Sequence, residues 1–276
     1  MSSTPPRPPQ IFEPDYYQRL YDTEERHWWV LGMREAMVGL LRAPLVGRTQ
    51  LRVLDAGCGT GYLLEYLKRC YPLAEEPVGI DVSPHALKFC QQRGASALAL
   101  ASVVQTPFPS ASFDLIVCID TLQHLSPAGA DQRAVTEFAR LLRPEGLLYL
   151  RTNSALGHIS LQGTDPHQYR RYHLATVTTL LTTAGLTVER ATYLNALPGA
   201  WAMLREYVQG MRPHTTAVSG PGLALRLYPR QLAWVNRVLH GVLRIEAWLV
   251  SALRLTLPFG HACAFVARRP IEEEGG

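Results

Sequence analysis

The stretch Val53-Leu54-Asp55-Ala56-Gly57-Cys58-Gly59-Thr60-Gly61 limits the fold more than any other part of this 276-residue chain. An apolar run ends in an acid, and glycine then takes every second position. Leu63, Leu67 and Cys70 follow at helical spacing, so the loop joins a buried strand to a helix. Glycines at 57, 59 and 61 permit a tight turn and offer bare amides to a ligand. The spacing narrows the choice of ligand. A dinucleotide fingerprint needs its third glycine at position 62, which is Tyr62. It also needs no anion where the pyrophosphate would rest, and Asp55 stands there. Two like charges ~4 Å apart repel by roughly 1 to 4 kcal/mol between bulk water and a protein surface. An acid in that place suits a cation, such as the amino group of an amino acid.

The rest of the chain alternates strand and helix. Val78-Gly79-Ile80 ends in Asp81, and Ser83-Pro84 opens a helix that Gly94 closes. A short third strand covers 97 to 101. Phe113 to Ile119 is apolar enough to be buried on both faces. Val135, Phe138, Ala139 and Leu142 mark a helix that stops at Pro144. Leu147 to Leu150 forms a fifth strand, Leu174 to Ala184 a helix, Leu186 to Ala191 a sixth strand and Ala262 to Ala267 a seventh. The alternation predicts an α/β fold with a seven-stranded, doubly wound, mostly parallel sheet. A helix is expected from Tyr16 to Leu41, ahead of the sheet. About 70 residues separate strands six and seven, where a hairpin needs only a few. They include Trp201, a run from Leu223 to Tyr228, and a helical stretch from Gln231 to Leu255.

The bulk numbers exclude several classes. A net charge of +4 is too mild for a nucleic-acid surface. Five scattered cysteines form no CxxC pair, so neither zinc nor a disulfide framework is expected. No apolar segment follows Met1 and no uncharged run approaches a membrane span, so neither a signal peptide nor a span is expected, and the expected location is the cytoplasm.

The glycine loop resembles the first motif of the class I S-adenosylmethionine-dependent methyltransferases, and the order of the motifs from residue 50 to 192 extends the likeness. The resemblance implies S-adenosylmethionine as cofactor, lying across the strand ends on Asp55, Gly57, Cys58, Gly59 and Gly61. Asp81, with Val82 beside it, would accept the ribose hydroxyls; the alternative is a helix-capping acid. Ser102 and Val103 stand where the family holds the adenine, although the family has an acid at 102. Ile119 would pack near the sulfonium. The loop after strand four lacks the Asn/Asp-Pro-Pro-aromatic run of base methylation. His124 on that loop either takes a proton from the acceptor or positions the loop. Glu145 occupies a turn where the family has glycine.

Outer segments carry the likeness toward a narrower, mostly bacterial group: Glu25-Arg26-His27-Trp28-Trp29 with Gly32 and Arg34, and His167-Gln168-Tyr169-Arg170-Arg171-Tyr172-His173. Trp28 and Trp29 are either a lid over the cofactor or core residues, and Trp29 is the candidate cofactor contact. His167 joins His124 as a candidate catalytic group. Arg170, Arg171 and Tyr172 either clamp an anionic substrate, cap a helix or pair with Glu25. The domain reading is a proline-rich tail (1–12), a helical cap (13–50), the cofactor-binding core (51–192), a helical insertion (193–260) and a last core strand (261–270). A small-molecule acceptor methylated at oxygen is the expected substrate. The alternatives are a lipid or quinone met at the membrane surface, and a cofactor-binding partner subunit without catalysis. In the stretch 231 to 255, Val235, Val238, Leu239, Val242, Ile245 and Leu249 form one stripe, with Arg237, Arg244 and Arg254 mostly off it. Such a helix packs on a core or rests on an anionic membrane.

Overall fold

The computed structural model describes residues 14–155, 170–197, 200 and 233–271. The proline-rich start, Asp165, His167, Trp201 and the run from 223 to 228 lie outside the described residues. In chain order the elements are α1 (Pro14–Thr23), α2 (Trp28–Arg42), β1 (Val53–Ala56), α3 (Tyr62–Cys70), β2 (Val78–Asp81), α4 (Pro84–Gln92), β3 (Leu98–Leu100) and β4 (Phe113–Ile119). A 3-10 turn (Leu122–His124), α5 (Ala130–Leu141), β5 (Leu142–Asn153), α6 (Leu174–Thr183), β6 (Thr187–Leu194), α7 (Ala233–Ala252) and β7 (Ala262–Arg268) follow.

The seven strands lie in the order β3-β2-β1-β4-β5-β7-β6. All pairs are parallel except those of β7, which runs antiparallel to both β5 and β6. Alternate side chains leave opposite faces of each strand. Leu54, Ile116 and Leu148 meet Val135, Phe138, Val177 and Leu181 of α5 and α6. Val53, Leu115, Val117 and Tyr149 meet Trp28, Met33, Met37 and Leu41 of α2 and Leu243 and Val250 of α7. Burying each such side chain contributes about 1.5–3 kcal/mol before entropy is counted. The order reverses between β1 and β4, which opens a crevice at the carboxyl ends of those strands.

Three expectations change. The helix expected from Tyr16 to Leu41 is two helices, because the chain turns at Glu24–His27 to bury Glu24 against the glycine loop. The fifth strand is longer than the apolar run and includes Pro144. Glu145 there adopts φ +64°, donates its amide to the Arg269 carbonyl at 2.8 Å and accepts from Arg48 at 2.7 Å. Finally, α7 is rotated from the predicted stripe. Leu243, Glu246, Ala247 and Val250 are buried, while Val238 and Ile245 face outward. Small residues set this register. A Cβ on Gly32 of α2 would lie 2.5 Å from Leu243 Cβ, so the bare glycine lets the two helices close. Among the described residues no helix is long and apolar enough to cross a membrane.

Candidate functional site

The glycine loop does not leave its amides bare. Gly57 and Cys58 both donate to the Ile80 carbonyl at 2.9 Å, Gly59 donates to Asp81 Oδ2 at 3.0 Å and Gly61 donates to the Cys58 carbonyl at 3.0 Å. The loop folds back on β2 and spends these donors internally, so it is no phosphate cradle. Its shape still demands glycine. Gly57 has φ +91°, and a Cβ there would lie 2.0 Å from Thr121 Oγ1. Gly61 abuts Cys90 of α4 in the same way, and the Cys58 and Cys90 sulfurs stand 3.7 Å apart.

Recognition therefore falls to side chains. Asp55 is fully buried at the end of β1, and its Oδ2 has no hydrogen-bond partner. Burial, with Asp81 adding to it, pushes its carboxyl up to about 8. Arg34 of α2 faces it. This guanidinium lies 3.6 Å over the Tyr62 ring and 3.6 Å from Glu24, yet its Nη1 is buried without a partner. Burial lowers Arg34 to about 10, which leaves it charged at neutral pH. A buried carboxylate and a buried guanidinium with unused atoms match the ammonium and carboxylate of an amino acid. Asp81, at the end of β2, accepts from Gly59 and from Ser83 at 2.8 Å, which orients both oxygens. Burial raises its pKa too. Val82 and Leu100, at the ends of β2 and β3, are 47% and 62% exposed and offer apolar surface to a planar ring. Ser102 is spent on the Val104 amide at 3.4 Å, and Val103 is buried.

The cap closes over these groups. Tyr17 of α1 is buried, hydrogen-bonds the Ser83 side chain and faces Asp81. Glu24 accepts from Thr60 and bridges Arg93 at 3.1 Å. Arg93 also donates to the Thr60 carbonyl at 3.1 Å and pairs with Glu25, while Arg170 pairs with Asp131. Trp28 and Trp29 both pack on the core. Trp28 is core, with His27 stacked on it at 5.7 Å; Trp29 is half-buried with its ring 4.8 Å from the Arg151 guanidinium.

Arg151 leads to the second half of the site. It pairs with Asp120, which follows β4 with φ +53°. Ile119 precedes it, half-buried. His124 is half-buried with its ring bonded to the Asp120 main chain, and desolvation lowers it to about 4 despite that carboxylate. Gln123 accepts from Thr152 and Asn153, both at 3.1 Å, which ties the loop after β4 to β5. Arg170 and Tyr172 join the same tie. Arg170 bridges Asp131 at 3.0 Å and donates to the Pro127 carbonyl, while the buried Tyr172 hydroxyl reaches Leu122 and Asp131. Arg171 is half-buried beside them.

A family model described as a methyltransferase domain matches residues 54–150. A protein of Encephalitozoon cuniculi that carries a methyltransferase designation is 31% identical over 157 residues, 53% of this chain and 67% of that one. The chain belongs to the class I S-adenosylmethionine-dependent methyltransferases. S-adenosylmethionine is the cofactor of that family, and the free Asp55 and Arg34 atoms between Asp81 and the strand ends fit it. The ubiquinone biosynthesis O-methyltransferase of Xanthomonas oryzae is 35% identical over 112 residues, 37% of this chain and 42% of that one. The chain spans from 23% to 67% of the length of the curated relatives it matches. A solved methyltransferase of Archaeoglobus fulgidus shares the fold, at 17% identity and TM-score 0.52, with 86% of this chain and 94% of that one covered.

Sequence reasoning missed Tyr17, Glu24, Arg34, Arg93, Asp120 and Arg151 as parts of this site. One signal was present: Arg151 ends an otherwise apolar strand, and a charge there needs a partner.

Proposed function

We propose that this methyltransferase moves a methyl group to a small-molecule acceptor, at oxygen. The observation that carries the reading is the pair of unused buried atoms, Asp55 Oδ2 and Arg34 Nη1, beside an oriented Asp81. When bound, the cofactor supplies a methyl on a positively charged sulfur, already activated for in-line displacement. The protein then has to align and dry the reactants, which is worth several kcal/mol, up to about 7–11 in the best cases. In this reading Asp55 holds the ammonium, Arg34 the carboxylate and Asp81 the ribose. Val82, Leu100, Ser102 and Val103 border the adenine. Trp29 and Ile119 exclude water from the transferred methyl.

The acceptor side is built by Asp120, Arg151 and His124. A neutral His124 can take a hydroxyl proton as the bond forms, an effect of roughly a hundred- to ten-thousand-fold when the acceptor needs it. The O-methyltransferase name of the Xanthomonas relative supports oxygen as the target. Five free cysteines support a reducing, cytoplasmic setting.

Calorimetry with S-adenosylhomocysteine, followed by methyl transfer to a panel of phenols, carboxylates and amines, tests the proposal. Binding with turnover on oxygen acceptors is expected. Retention of NADH without affinity for adenosylhomocysteine would sink the cofactor reading. Cofactor binding with turnover only on amines would sink the choice of oxygen.

A further inference from the structure

The outward face of α7 carries the largest apolar stripe that the described residues leave uncovered. Trp234, Val238, Ile245 and Trp248 recur at helical spacing, each between 54% and 62% exposed. Leu253 and Leu255 prolong the stripe past the helix end, both exposed. None of these residues supports the core, because Leu243, Ala247 and Val250 on the opposite face already fix the helix on the sheet. A helix of 20 residues runs about 30 Å, so the stripe is long and straight.

The charges beside it are of one sign. Arg237 and Arg244 lie along one margin of the stripe, and Arg254 stands at its end, all exposed. The acids nearest to α7 are turned away from the stripe. Glu246 is buried on the Asn195 and Ala196 amides, and Glu35 of α2 is occupied by His240 at 3.2 Å and Arg244 at 3.7 Å. Arg244 remains two-thirds exposed despite that pair.

We propose that this face of α7 docks on an anionic phospholipid bilayer, lying in the plane of the surface. Tryptophans at both ends match the preference of indole for the membrane–water boundary. Arginines along the margin match lipid phosphates. The same helix holds the cap. Asn236 accepts from the Trp28 amide at 3.2 Å and donates to the Arg26 carbonyl at 2.8 Å. Docking through the outward face leaves α2, packed on the opposite face through Gly32 and Leu243, on the side of α7 turned from the membrane.

The test is sedimentation of the full chain with extruded vesicles of phosphatidylcholine, alone or with one-third phosphatidylglycerol. Partition is expected into the anionic vesicles, and it should fall as salt rises. Trp234→Ser with Trp248→Ser should weaken it at least tenfold. Arg237→Gln with Arg244→Gln should weaken it about 25-fold, at roughly fivefold per arginine. Both variants alter exposed positions and should bind S-adenosylhomocysteine as the parent does, which separates lost docking from lost folding. No partition, equal partition into neutral vesicles, or indifference to both variants overturns the proposal. So does a dimer in solution that the tryptophan variant dissociates, since the stripe would then belong to a second copy. Shielding of Trp234 and Trp248 from acrylamide without vesicles also overturns it, because residues 201–232 of the chain itself would then cover the stripe.

Discussion

Cofactor binding should release a proton from Asp55. Without ligand this carboxyl sits fully buried with a pKa of about 8, so it is mostly protonated at neutral pH. A bound ammonium favours the carboxylate, and binding must draw on the ionised fraction. With a pKa of about 8, that fraction is roughly 1% at pH 6, 9% at pH 7 and 50% at pH 8. Affinity for S-adenosylhomocysteine should therefore rise about tenfold from pH 6 to 7 and about fivefold more by pH 8, roughly 50-fold in all. The ligand's own ammonium stays charged over this range, because the carboxylate beside it holds its proton to higher pH than a peptide amino terminus. Calorimetry at pH 7 in buffers of different ionisation enthalpy counts the proton directly. The expected value is close to one released per ligand bound. Asp55→Asn should bind weakly and with no pH slope below 8. A parent affinity that stays flat from pH 6 to 8, or no proton released at pH 7, refutes the reasoning.

The same raised carboxyl has a stability consequence. Its folded pKa lies above its unfolded value, so its contribution is whole below about pH 4 and lost as pH rises through 8. Asp55→Asn should then raise the melting temperature of the ligand-free protein at pH 8 by several degrees, on the order of 2–4 kcal/mol, and leave it little changed at pH 4. Arg34→Met removes a charge-assisted partner and should weaken S-adenosylhomocysteine roughly 10- to 150-fold. Its affinity for 5′-methylthioadenosine, which lacks the amino-acid end, should not change; equal losses for both ligands would contradict the carboxylate role. His124→Gln should lower turnover at least a hundredfold with cofactor affinity intact, if the acceptor carries a firmly held proton. Because burial depresses His124 to about 4, the parent rate should show no step near pH 6.5 and should fall only as pH drops toward 4. A step near 6.5 that disappears in the variant would show an exposed histidine instead.

The sheet was legible because each strand is a short apolar run between breakers. Phe113–Ile119 has the same bounds in sequence and structure, since it is buried on both faces and shows no competing period. Asp55 and Asp81 were legible for a related reason: an acid that ends an apolar strand sits at the crevice. The cap was not legible in this way. Glu24 and Arg34 are ten residues apart, the first in the turn after α1 and the second on α2, and only that break brings both to the glycine loop. Helix periodicity carries no signal for such a break, so the reading ran straight through it. The α7 register failed because apolar residues wrap most of that helix. Packing against Gly32, not the pattern, decides which of them go inside.

The buried charges explain why cap and core form one site. Asp55, Asp81 and Glu24 each sit with a raised pKa, so burial opposes the charge of all three. The protein answers with Arg34 and Arg93 on Glu24, and with main-chain amides on Asp81. It gives Asp55 no hydrogen bond at Oδ2. An unmet acid of this kind lowers stability unless something that binds only the folded state supplies the missing cation. The cap is tied down over the strand ends through Glu24 on Thr60 and Tyr17 on Ser83. Closure and ionisation of Asp55 are then two aspects of one event, because a drier site makes the unpaired carboxylate costlier and its ammonium partner more strongly held.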